Sequence, residues 1–191
     1  MISAGRPVLE LRKGTYKVIV DNDEGYDARS PVNLHSYAKE YPLSEGSGYR
    51  PSSKHTVTIR SEGSVIGSCI VTADGGATGI HRHSALICGN SCILAVGQFM
   101  CSLHIPSLDL KWRVEADYAT CFGVYYSAKH NCFISHGELT IARVEPGGKM
   151  AWSSGGKDIF TGILELFDDY VEVTDFNDER YRFDIATGEE C

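Results

Sequence analysis

Metal chemistry is best spelled out at His81-Arg82-His83, followed by Cys88 and Cys92. Two histidines at i and i+2 on a strand face the same side, and imidazole with thiolate suits zinc. His81, His83 and Cys88 are therefore the candidate metal ligands of a metal-assisted enzyme. The spacing matches no named zinc module, and the same alternation reads equally as the polar face of a strand. Nucleophilic chemistry is sought next, as a Cys beside a His. Cys132 and His136 share a strand face but stand roughly 13 Å apart by strand rise, too far for proton transfer. Cys121 with His130 or His136 stays open. There is no Gly-x-Ser-x-Gly elbow and no phosphate-cradling glycine loop. No catalytic residue and no cofactor are assigned.

Two acidic runs resemble cation loops only in part. Asp21-Asn22-Asp23-Glu24-Gly25 opens like a calcium loop, but Tyr26 stands where the loop needs Gly and Val32 where it needs Glu. Asp175, Asn177, Asp178 and Glu179 read as a polar hairpin tip.

These residues sit in a chain of 191 residues with a net charge of −7 and 42% apolar residues. Such values exclude wholesale disorder and collagen-like structure. The charge is uneven: residues 162–191 hold ten acids against two bases, while the other residues nearly balance. Phosphate binding along a nucleic acid needs a basic footprint, so no nucleic-acid partner is expected. Asp168, Asp169, Glu172 and Asp178 are the expected contact residues for a basic protein partner, against the plainer reading of a solvated end. Met1 to Glu10 shows no apolar leader, and no run approaches the ~18 apolar residues of a membrane helix, so a cytoplasmic protein without a membrane partner is expected. Seven cysteines, none in a Cys-x-x-Cys pair, lie mostly in apolar runs; they read as small buried hydrophobes, with a disulfide framework as the alternative.

Three segments repeat: 82–112, 122–152 and 161–191. Trp112 and Trp152 are 40 apart, as are Cys92 and Cys132, Leu94 and Ile134, and Gly97 and Gly137. The third copy follows through Gly162, Val171, Val173, Tyr181, Phe183 and Gly188. Each copy reads as four short strands, in the middle one Gly123–Ser127, Cys132–His136, Leu139–Val144 and Met150–Ser154. Four strands in about forty residues is the size of a propeller blade. A large ring at a fixed place in each unit fills the gap between neighbouring sheets, which makes Trp112 and Trp152 core residues. His136 aligns with Val96, either pointing at a channel or buried and satisfied.

Asp184-Ile185-Ala186-Thr187-Gly188-Glu189 resembles the Asp-x-x-Thr-Gly-x turn of quinoprotein-like (PQQ-type) propeller repeats, where a Trp follows four residues after the Gly. Gly148 and Trp152 keep that spacing; the first copy has Leu108 for the Gly but keeps Trp112. The resemblance covers residues 82–191 and implies propeller-like blades. It does not import the quinone, because this chain is shorter than a quinoprotein dehydrogenase and offers no matching quinone and calcium ligands.

Residues 1–54 fall outside the repeat, and 55–191 are read as the repeat domain. Val8–Leu11 and Tyr16–Val20 predict a hairpin; Asn33 caps a predicted short helix over Leu34–Tyr41; 42–54 read as loop. Thr56–Ser61 and Val65–Thr72 predict strands of a degenerate fourth unit. An N-terminal strand is expected to complete the unit at 161–191, or a second chain does so as a homo-oligomer. The fold class is all-β, three to four propeller-like four-stranded units. The expected function is a non-enzymatic binding or protein-interaction module. The alternatives are a lectin-like small-ligand binder and the metal enzyme of His81 and His83.

Overall fold

A computed structural model describes residues 8–44 and 50–191. Residues 1–7, on which much of the leader reading rests, and 45–49 of the predicted loop lie outside the described residues. The described chain is all-β, with no helix among its elements. The first sheet holds β1 (Leu9–Lys13), β2 (Tyr16–Asn22), β3 (Lys39–Pro42), β4 (Ser53–Ser61) and β5 (Ser64–Ala73), ordered β1-β2-β4-β5-β3. Three antiparallel meanders follow. β6 (Ala85–Cys88), β7 (Ser91–Val96), β8 (Phe99–His104) and β9 (Leu110–Glu115) form the second sheet. β10 (Cys121–Ser127), β11 (Cys132–Gly137), β12 (Thr140–Val144) and β13 (Met150–Gly155) form the third. β14 (Glu165–Leu166), β15 (Tyr170–Thr174) and β16 (Arg180–Asp184) form the fourth, with Glu190 bridging Phe183 at its edge.

The sheets stack face to face in chain order. Cys92, Leu94 and Val96 pack against Val18, Val20, Val57 and Val71 of the first sheet. Ile93 and Ala95, pointing the other way, meet Val124 and Phe133 of the third. Cys132 and Ile134 then meet Val171, Val173, Tyr181 and Phe183 of the fourth. The middle sheets are thus buried on both faces, which explains their unbroken apolar runs. The end sheets alternate instead. Glu172 turns away from the stack between Val171 and Val173, and Lys17, Ile19 and Asp21 do so around Val18 and Val20. Terminal units with polar outer faces are what a stacked repeat needs at its ends.

The hairpin of β1 and β2 forms as the sequence predicts, pairing Leu9 with Val20 and Lys13 with Tyr16. The degenerate unit also forms, but β1 and β2 complete it rather than the unit at 161–191. Residue 54 consequently lies inside β4, within a sheet shared by residues on both sides of the expected boundary. The predicted helix over Leu34–Tyr41 does not form. Leu34 is 93% exposed, so the apolar stripe has nothing to cover, and Lys39–Pro42 instead pair in parallel with Cys69–Thr72. Edge hydrogen bonds on an existing sheet outweigh a helix of about two turns, which is marginal alone.

Trp112 and Trp152 clasp neighbouring sheets. Each indole N–H donates across to the next unit's turn, Trp112 to the Pro146 carbonyl and Trp152 to the Ile185 carbonyl, both at 2.9 Å. Each ring lies flat on a glycine: a Cβ on Gly148 would stand 2.5 Å from Trp112, and one on Gly188 2.6 Å from Trp152. Both glycines also have positive φ, +86° and +77°. In the first unit Tyr41 takes the part of the Trp, its hydroxyl donating at 2.9 Å to the carbonyl of Leu108, the residue aligned with those glycines. Gly148→Ala and Gly188→Ala are each expected to cost roughly 2 kcal/mol, from backbone strain and a displaced ring. Urea midpoints would show this; a change below about 0.5 kcal/mol would mean the rings give way freely.

All seven cysteines are free. Cys69, Cys92, Cys101, Cys121 and Cys132 are buried, as expected of small hydrophobes, whereas Cys88 is half-buried and Cys191 exposed. Burial pushes the thiols of Cys69, Cys92 and Cys121 up to about 12, which leaves them unreactive near neutrality.

Candidate functional site

The loops that leave the sheets at one end of the stack form a rim. They are the β5–β6, β9–β10 and β13–β14 links, the tips of β7–β8, β11–β12 and β15–β16, and the β2–β4 insert. Backbone hydrogen bonds stitch successive loops together. The Gly76 N–H donates to the Ala119 carbonyl at 3.0 Å, Cys121 to Gly97 at 2.7 Å, Glu138 to Thr120 at 2.7 Å, Phe160 to Glu138 at 2.7 Å, and Phe176 to Ile159 at 2.8 Å. Asp117 anchors the middle of this chain. Its carboxylate accepts the N–H groups of Ala119, Thr120, Leu139 and Thr140 at 2.6–3.0 Å.

The rim carries most of the prominently exposed apolar side chains among the described residues. Leu34, Val32, Tyr118, Ile163 and Phe176 are 93, 82, 76, 74 and 67% exposed; Leu139 is also exposed, though less than Val65, Ile66 and Phe167 toward the other end of the sheets. Asp178 follows Phe176 on the β15–β16 tip, and Asp158 lies on the adjoining β13–β14 link. Asn177 donates a side-chain hydrogen bond to Asp158 at 2.8 Å, tying the two loops together.

The four acidic residues expected to bind a partner are not one face. Asp178 sits on the rim, at the β15–β16 tip. Asp168 and Asp169 belong to the β14–β15 turn, at the opposite end of the sheet. Asp169 is engaged with Lys129 at 2.6 Å. Glu172 lies mid-sheet, buried beneath Arg180 at 3.2 Å and Arg182 at 2.7 Å, so two guanidinium groups already neutralise it. Asp175 turns inward and accepts the N–H groups of Asn177 and Glu179, which makes the run a hairpin tip as expected.

His81 and His83 do not form a metal centre with Cys88. Among the described residues no three His, Cys, Asp or Glu side chains gather closely enough to hold a metal ion. His81 donates from Nε2 to the Phe122 carbonyl at 2.8 Å, and Arg82 donates to His83 Nε2 at 2.8 Å. His83 stacks on Tyr125 with ring centroids 4.3 Å apart. The His81 bond and the His83 carbonyl, which accepts the Val124 N–H at 2.9 Å, hold the β5–β6 link against β10. His136 is buried beside Phe122, and burial, with His81 and His83 near, depresses its pKa to about 4. The Cys121 thiol contacts the Gly123 carbonyl at 3.7 Å rather than a histidine.

Sequence reasoning missed the rim. Its signal was present as single apolar residues inside otherwise polar links, Tyr118 after Asp117 and Ile163 after Gly162. Only the topology shows that these links adjoin.

No protein-family model matches the sequence, and no curated protein matches it. Solved structures do. The computationally designed Ika8 protein matches with a TM-score of 0.59 at 13% identity over 96% of this chain, which spans about half (47%) of Ika8. The designed Ika4 protein matches 60% of this chain and 75% of its own at 15% identity, TM-score 0.49. The WD40 repeats of RRP9 match 59% of this chain and 38% of their own at 11% identity, TM-score 0.49. The four stacked sheets and the Ika8 likeness establish a β-propeller-like fold.

Proposed function

We propose that this protein is a non-enzymatic protein-interaction module that binds its partner through the loop rim. The observation that carries this is that exposed Val32, Leu34, Tyr118, Leu139, Ile163 and Phe176 all lie on loops leaving one end of the sheets. Single exposed apolar residues are ordinary, but several of them on loops at one end of the stack offer a contact surface. Asp158 and Asp178 border the fourth-sheet part of the rim, so a partner with basic residues around an apolar contact fits it. This moves the contact surface from Asp168, Asp169 and Glu172 to the rim and keeps Asp178. The module works in the cytoplasm on this reading. No described helix is long and apolar enough to cross a membrane. The link to quinoprotein-like repeats is part of the same proposal and extends to blade shape, not to cofactor.

Tyr118→Ser, Ile163→Ser and Phe176→Ser together are expected to abolish recovery of the species that the unaltered chain captures. Exposed substitutions of this kind leave stability within roughly 0.5 kcal/mol each, which urea unfolding verifies. The pair Asp168→Asn and Asp169→Asn serves as the contrast and leaves capture intact. Undiminished capture by the triple variant would refute the rim.

A further inference from the structure

The outer face of the first sheet carries a groove that does not depend on the rim's apolar residues. Strands β2, β4 and β5 pair so that Lys17, Arg60 and Val65 form one row across this face. Ile19, Thr58 and Ser68 form the next row, and Asp21 and Thr56 belong to the one after. His35, Ser36 and Tyr37 of the β2–β3 link wall a groove of about 380 Å³ against these rows. Sites for small ligands are of this size.

The groove is bipolar. Asp21 and Asp23 stand at one end. Asp23 is engaged through Oδ2, which accepts the Tyr37 hydroxyl at 2.6 Å and meets His35 Nδ1 at 3.1 Å. The Asp21 carboxylate accepts the Asn22 N–H on Oδ1 at 2.7 Å, which leaves Oδ2 free. At the other end Arg60 lies directly across the ladder from Lys17. Like charges so placed are destabilising, and only Lys17 is neutralised, by Glu10 at 2.6 Å. Arg60 has no hydrogen bond or ion pair among the described residues. The Thr58 and Ser68 hydroxyls, half-buried between the two ends, are likewise without a partner among the described residues.

We propose that this groove binds a short zwitterionic peptide of dipeptide size, with its ammonium on Asp21 and its carboxylate on Arg60. A ligand of one charge meets repulsion at one end; a zwitterion meets none. The spacing sets the length. Asp21 opposes Thr56, four residues from Arg60 along β4, which is about 13 Å at the rise of a strand. An extended dipeptide spans about 7 Å, and a charge-assisted bond of about 2.8 Å at each end closes the gap. A single amino acid falls short of it. The central amide of the dipeptide then lies over Thr58 and Ser68, whose hydroxyls can donate to its carbonyl or accept from its N–H.

The test is an NMR titration of the full chain at low salt with alanyl-alanine and alanyl-leucine, read at the Thr58 and Ser68 amides. Saturable shifts with either dipeptide are expected. The N-acetyl and the C-terminal amide forms of the same dipeptide each lose one charge and are expected to bind roughly tenfold more weakly. Arg60→Ala is expected to erase the difference between the free acid and its amide, and Asp21→Asn the difference between the free amine and its N-acetyl form. Both variants keep the urea midpoint, because Arg60 has no partner to lose and asparagine still accepts the Asn22 N–H. No shift with either dipeptide at about 20 mM overturns the proposal, as do equal binding of the blocked forms or binding indifferent to both substitutions. Free alanine binding as tightly as alanyl-alanine overturns it as well, because the length match is then lost.

Discussion

Asp117→Ala is expected to destabilise the protein by roughly 3–5 kcal/mol and to loosen the middle of the rim. Asp117 is 3% exposed, and its two oxygens serve different loops. Oδ1 accepts the N–H groups of Ala119 and Thr120 within its own link, while Oδ2 accepts those of Leu139 and Thr140 across the β11–β12 tip. Alanine strands four backbone donors and leaves the Thr140 hydroxyl, 3.1 Å from Oδ2, with only the Ala116 carbonyl at 3.4 Å to accept from it. Gly137 presses against the same carboxylate, where an added Cβ would lie 2.3 Å from Oδ2, so no side chain there can supply a substitute. Asp117→Asn keeps one acceptor and is expected to lose less. Urea unfolding of the two variants decides this. Equal losses would show that the amide fails where the carboxylate works, and a loss below about 1 kcal/mol for alanine would mean that water replaces the carboxylate.

Acid is expected to unfold the protein well before its carboxylates titrate. His55 is fully buried on β4, with Nε2 donating to the Thr78 carbonyl at 3.2 Å, and burial depresses its pKa to about 4. His136 is depressed to about 4 for the same first reason, and its Nε2 is buried without a hydrogen-bond partner. Each ring regains an ordinary pKa of about 6.5 on unfolding. Between about pH 6.5 and 4 the unfolded chain therefore binds two more protons than the folded one, and stability falls as pH falls. The loss approaches about 3 kcal/mol per histidine by pH 4 and is absent above neutrality. The slope nears 2.7 kcal/mol per pH unit for the pair, roughly twice that of one group. Urea midpoints at pH 7.5, 6.0 and 5.0 measure it. His136→Gln should roughly halve the slope; a flat profile would mean that one or both rings reach solvent.

Much of this architecture is legible in the sequence, because repeats at a fixed offset force equivalent residues into equivalent places. The 40-residue spacing of Trp112 and Trp152 marks the clasp, and Gly148 and Gly188 mark the turns they cover. The first unit is legible only in pieces. Its strands are separated by the long β2–β4 insert, and Tyr41 replaces the Trp from a strand of another direction. The i, i+3, i+4, i+7 pattern of Leu34, Tyr37, Ala38 and Tyr41 points to a helix, yet Leu34 meets solvent and Tyr37 donates to Asp23 at 2.6 Å. Local periodicity loses there to an available sheet edge. The acidic excess of 162–191 is equally misleading as a face, because composition is blind to which end of a hairpin carries each residue. Glu172 looks like its neighbours in sequence, but alternation along β15 turns it to the outer surface under Arg180 and Arg182.

The central claim is that the loop rim, and not the opposite end of the fourth sheet, meets the partner. It is tested most directly by placing a photoreactive phenylalanine analogue at Tyr118, Ile163 or Asp168, one at a time, and irradiating the chain in cell extract. The account predicts the same crosslinked species from Tyr118 and Ile163 and none from Asp168. Crosslinks from Asp168 with none from Tyr118 or Ile163 would contradict it.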